Sequence, residues 1–194
     1  MSMRFRPVTL RLPGWVEDML PDPAQVYPTV EARMRLVIEL ARQNVRRETG
    51  GPFGAAVFDL TTGVLLAPGV NLVVAAGCSI AHAEIVAIAV AEQLVGSYDL
   101  GRREMPGYEL VSSVAPCAMC LGAIPWSGVR SLVCGAREED ARRIGFDEGT
   151  KPPDWGAALE QRGIPVIQDV CREEAAAVLQ EYAAAGGQIY NPGD

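Results

Sequence analysis

From Thr29 onward the chain alternates short apolar runs with longer amphipathic or wholly apolar segments, and this alternation restricts the fold more than any other feature. "TVEARMRLVIELARQNVRRETG" places Met34, Val37, Ile38, Ala41 and Val45 on one helical face, with Thr29 as N-cap and Gly50 as stop. "GPFGAAVFDLTTGVLLAPGVNLVV" reads as two antiparallel strands, residues 55–60 and 64–67, around a turn at 61–63. "AHAEIVAIAVAEQLVG" is apolar on nearly every side, as expected of a helix buried in a layered core and ended by Gly96. "YELVSS" then predicts a third strand, and "PCAMCLGAIPWSG" a short helix opened by Pro116 and broken near Pro125. "VRSLVCGA", "REEDARRIGF", "IPVIQDV" and "REEAAAVLQEYAAAGG" continue as strand, helix, strand and helix.

The order αββαβαβαβα predicts an α/β fold, an open five-stranded mixed sheet with helices on both faces in three layers. The helix between the fourth and fifth strands favours a parallel crossover. Residues 1–28 hold four prolines in "LPGWVEDMLPDPAQVYP" and predict an irregular arm packed on the body through Trp15, Val16 and Leu20. Residues 29–187 form the expected domain, and 188–194 a tail.

A chain of 194 residues with 49% hydrophobic and 21% charged residues is long enough for one well-buried core. The net charge of -7 argues against a surface built to neutralise nucleic-acid phosphates. The first twenty residues lack the continuous apolar core of a secretory signal, and no segment approaches ~20 uninterrupted apolar residues. A cytoplasmic protein that does not enter membranes is therefore expected. Five cysteines are an odd count for a disulfide framework, so thiols or metal ligands are expected instead.

His82 is the single histidine, and a lone histidine on an apolar helix is ordinarily a hydrogen-bonded core residue. Cys117 and Cys120 change that reading. They stand one helical turn apart at a predicted helix start, where the dipole and free N–H groups favour the thiolate that binds zinc. A CxxC pair alone serves redox chemistry equally well. With His82 it supplies three ligands and leaves the fourth tetrahedral position open, as in catalytic zinc sites. A closed structural site needs Cys78, Cys134 or Cys171 as well. Glu84 lies two residues after His82, so both face one ion only near the first turn of a helix; there a carboxylate can move protons for a metal-activated water.

"HAE" at 82–84 followed by "PCAMC" at 116–120 resembles the zinc-dependent cytidine deaminase superfamily, whose signature is this pair of motifs. "GGPFGAAV" at 50–57, "GVN" at 69–71, "CLGAIPWSGV" at 120–129 and "REEDARRIGFDEG" at 137–149 are similar to the bacterial guanine deaminases of that superfamily. The resemblance implies zinc on His82, Cys117 and Cys120, with Glu84 as proton carrier. It implies Asn71 as an amide bonding the purine, Phe53 and Trp126 as walls for the flat base, and Ala83 bordering it. A second carboxylate near the leaving amine falls at "FDEG", with Glu148 chosen and Asp147 as alternate. The tail, around Tyr190, is expected to close the pocket from its own or the partner subunit. The chain departs from the pattern at Ala115, where relatives usually carry glutamate, and in the lead-in "AAGCSIAHAE". The expected activity is deamination of guanine to xanthine and ammonia by a homodimer, with aminated triazines as a second substrate. A transfer-RNA adenosine or cytosine-type nucleoside deaminase shares the metal motifs, and a non-catalytic zinc-binding protein is the reading of another class.

Overall fold

The computed structural model describes residues 8–20, 22–191 and 193. Residues 1–7 and 21 of the expected arm and 192 and 194 of the expected tail lie outside the described residues. Five strands form one mixed sheet: β1 (Gly54–Asp59), β2 (Leu65–Val70), β3 (Tyr108–Val114), β4 (Ser131–Ala136) and β5 (Val166–Ile167), in the spatial order β2-β1-β3-β4-β5. β1 runs antiparallel to both β2 and β3, and β3, β4 and β5 are parallel.

Alternating residues separate the two faces, since successive strand side chains point oppositely. Ala56, Phe58, Val111 and Val133 pack against α2 (Val30–Arg46) and α8 (Arg172–Ala184). Ala55, Val57, Leu110, Leu132 and Cys134 pack against α4 (Ala83–Val95), α5 (Ala118–Ser127) and α7 (Trp155–Glu160). The expected three-layer α/β architecture and the parallel crossover into β5 are both present.

Local chemistry explains the boundaries. The Thr29 side chain accepts a hydrogen bond from Ala32 N–H at 3.1 Å and starts α2. Gly96 takes the left-handed conformation (φ 67°) that stops α4. β2 runs to Val70, past the expected end, because Gly69 has no Cβ to strike the Ala83 carbonyl of α4 packed over it. α2 stops at Arg46, before Gly50, and the buried Asn44 amide then binds the carbonyls of Gly51 and Asn71, each at 2.9 Å.

Several details differ from the sequence reading. The N-terminal arm contains a helix, α1 (Gly14–Met19), because Trp15 and Val16 seat in a cluster with Leu40, Val70, Leu72 and Val86. α5 passes through Pro125: proline's φ is helical, and buried Ile124 with the Ser127 hydroxyl bond to its carbonyl (2.7 Å) holds the last turn. α3 (Val73–Ala76) and α7 escaped notice because α3 buries no residue and α7 buries only Leu159, so neither carries an apolar stripe. α6 (Glu138–Arg143) is as short as its charged sequence allows.

Candidate active site

The starts of α4 and α5 meet at one end of the sheet, beside the carboxyl end of β3. His82 is the N-cap of α4 and Cys117 the N-cap of α5, both with extended backbone (φ -70°, ψ 156° and φ -65°, ψ 172°). Each cap carbonyl accepts the first bond of its helix, from Val86 N–H (2.9 Å) and Leu121 N–H (2.8 Å). The caps aim His82 Nδ1 and Cys117 Sγ at each other, 3.5 Å apart. With Cys120 Sγ from the first turn of α5, all three ligand atoms lie within 4.8 Å of one another.

The donor set fits zinc: one imidazole nitrogen and two sulfurs, converging at two helix N-termini that favour thiolates. Hydrogen bonds from Cys120 and His82 pull the Cys117 thiol down to about 4 against the opposing effect of burial. Cys120 keeps its proton far more tightly, through that same bond to Cys117 and through burial. No other thiol joins them among the described residues, so the closed structural site is not formed by this geometry.

Glu84 stands in the first turn of α4, 7% exposed, beside the ligands. Burial, reinforced by the Cys117 charge, raises its carboxyl above the ordinary value. Glu148, 5% exposed, is pushed up to about 8 by burial and by Cys117, with Lys151 opposing. Both carboxyls line one cavity of about 590 Å³, together with His82, Cys117, Phe53, Asn71, Asp147 and Tyr190.

Most of the sequence-derived residues are thus gathered, and the exceptions are specific. Asp147 reaches the rim, but its side chain is exposed and caps Gly149 N–H at 2.9 Å, leaving Glu148 as the inward carboxyl. Ala83 is fully buried against Gly69 and does not line the cavity. Trp126 lies away from it on α5, 84% exposed, because it falls outside the helix face that buries Cys120 and Ile124. Neither lines this cavity. Phe146 instead stacks edge-on with Phe53 (4.9 Å) and Tyr190 (5.0 Å), making the aromatic side.

Asn71 is 1% exposed, and its Oδ1 accepts from Val73 N–H at 3.2 Å. That bond orients the side chain and leaves its NH₂ as a donor with no hydrogen-bond partner among the described residues. Asn44, missed in the sequence, holds the Asn71 carbonyl from behind; an asparagine inside a helical stripe was its sole signal. In the tail, Asn191 Oδ1 accepts from Asp147 N–H (2.8 Å) and its Nδ2 donates to Gly145 O (2.9 Å). These bonds dock the tail over the cavity of its own chain. The Tyr190 hydroxyl sits against Gly51, buried and with no hydrogen-bond partner among the described residues.

Residues 28–136 match the family described as the cytidine and deoxycytidylate deaminase zinc-binding region. Guanine deaminase of Bacillus subtilis (strain 168) is 34% identical over 138 residues, covering 71% of this chain and 84% of the relative. The solved guanine deaminase from Nitrosomonas europaea is 44% identical with TM-score 0.88, covering 94% of this chain and 100% of that one. A structure of NE0047 in complex with 2,6-diaminopurine is 46% identical with TM-score 0.89, covering 95% and 97%. Motif, ligand geometry, fold and similarity agree, and the chain belongs to the zinc-binding cytidine and deoxycytidylate deaminase family.

Proposed function

We propose that the protein is a zinc-dependent guanine deaminase, converting guanine and water to xanthine and ammonia. The observation that carries this reading is two inward carboxyls, Glu84 and Glu148, sharing a cavity with His82 and Cys117 of the ligand set that Cys120 completes. Similarity to guanine deaminases along nearly the whole chain supports the choice of substrate. Zinc held by those three residues supplies a Lewis acid and lowers the pKa of water toward neutrality.

Everything else falls to the chain. Glu84, with its affinity for protons raised by burial, accepts a proton from the attacking water and returns it to the substrate. Glu148, whose burial favours the protonated carboxyl, stands to serve the departing amine. The Asn71 NH₂ donates to an acceptor on the purine edge, held by its own Oδ1 bond to Val73. Phe53, Phe146 and Tyr190 bound the flat ring. The docked tail keeps bulk water from the reacting carbon.

Ammonia release across a panel of guanine, adenine, cytosine, their nucleosides and aminotriazines tests the reading. Guanine is expected to lead, with triazines following on shape; a nucleoside leading would replace it. The net charge of -7 disfavours transfer RNA as substrate. The reading also carries a homodimer, supported by exposed Trp126 and Met119 on α5, and a reducing cytoplasmic setting, supported by five free thiols. Among the described residues no helix is long and apolar enough to cross a membrane.

A further inference from the structure

Lys151 is the only lysine beside sixteen arginines, and its side chain is 3% exposed. Its ammonium donates to the Pro116 carbonyl at 2.7 Å, pairs with Glu138 Oε2 at 2.8 Å and lies 5.7 Å from the centre of the Trp155 ring. The Pro116 carbonyl belongs to the peptide that enters Cys117. A compact ammonium can aim its donors at these separate targets, whereas a planar guanidinium fork cannot. A buried cation persists only when it is paired in this way.

The same network grips the segment that carries Glu148. Glu138 also binds Arg142 (2.6 Å), and Arg142 Nη2 donates to Gly149 O at 2.8 Å. Ala118 N–H, one residue past Cys117, donates to the Glu148 carbonyl at 2.9 Å. Behind this seam lies a second, polar cavity of about 570 Å³ bordered by Lys151 and Glu138, and Ala115 and Gly149 line both cavities.

We propose that Lys151 is a positioning residue for the deaminase reaction: by tying the Pro116 carbonyl to Glu138 it fixes the Cys117 turn against the Glu148 segment. The proposal rests on the guanine deaminase reading for its kinetic test and on the metal site alone for its spectroscopic one. In zinc-loaded Lys151→Ala, kcat on guanine, followed by xanthine absorbance, falls about 10- to 100-fold, the usual cost of losing an outer-shell partner. KM stays within about threefold, because Lys151 does not touch the substrate cavity. Propylammonium, which replaces the lost atoms and enters from the second cavity, restores kcat saturably, while sodium at equal ionic strength does not.

Lys151→Met keeps the packing of the stem without the charge. It shows the same kcat loss, no amine response and an undiminished metal content. In the cobalt-substituted protein its thiolate-to-cobalt charge-transfer band is displaced from that of the parent. A kcat within about twofold of the parent in Lys151→Met overturns the proposal. So does a loss in a folded Lys151→Ala that propylammonium fails to restore. A parent inert on guanine sinks the functional reading alone; the cobalt band then decides, and an unmoved band overturns the role given to Lys151.

Discussion

Glu84 and Glu148 are both carboxyls held from water in one cavity, yet they differ in what can be removed from each. Glu84→Gln preserves shape and loses the proton acceptor, so turnover falls by about 100-fold or more while zinc content and melting temperature stay near the parent. Turnover within a few fold of the parent would remove Glu84 from the mechanism. For Glu148 the carboxyl sits at about 8 in the folded chain against 4.5 as its ordinary value. The folded state therefore binds this proton more tightly than the unfolded one. The resulting stability is complete below the unfolded value and is lost as pH rises through about 8. Glu148→Gln carries no such dependence. Between pH ~6.5 and ~8 its stability, measured by urea unfolding of metal-free protein, gains about 1–2 kcal/mol relative to the parent. A constant difference would place the Glu148 proton elsewhere.

At the scale of elements, the site depends on two helix starts and one tail. The tail docks through Asn191 on Gly145 and Asp147, and Ile189 and Tyr190 pack against the core cluster that holds Phe146 and Tyr182. Truncation after Gly187 lowers guanine turnover strongly and leaves metal content close to the intact protein. Undiminished turnover would mean that the tail only frays. The helix starts are tested by their ligands: Cys117→Ala or Cys120→Ala each removes one of three protein donors. Zinc per chain, measured by elemental analysis, falls together with activity. An unchanged ratio would put the metal at another site.

At the scale of the whole molecule, Trp126 stands in solvent on α5, a helix of otherwise small and apolar residues. Dimerisation through this face is expected to bury it, and light scattering at micromolar concentration should give twice the chain mass of 20.7 kDa. A monomer would refute the homodimer and leave Trp126 without an account. The five strands, the helices α2, α4, α5, α6 and α8, the mixed sheet and the His82, Cys117 and Cys120 ligand set were legible in the sequence, because strand and helix periods and a signature with a fixed internal spacing are local properties. Thr29 and Gly96 illustrate this: each acts within a few residues of its own position. Trp126 and Ala83 were misplaced because the facing of a helical residue depends on which neighbours pack there. Asn44, Phe146 and Lys151 were silent because their partners lie 27 or 35 positions away, or across an aromatic contact. By itself the sequence determined the fold class and the zinc-binding signature, since backbone period and ligand type are written residue by residue. Only the tertiary structure decided which carboxyl turns inward, which aromatic rings line the cavity and what holds the Glu148 segment against Cys117, because burial and hydrogen-bond partners arise when distant segments pack.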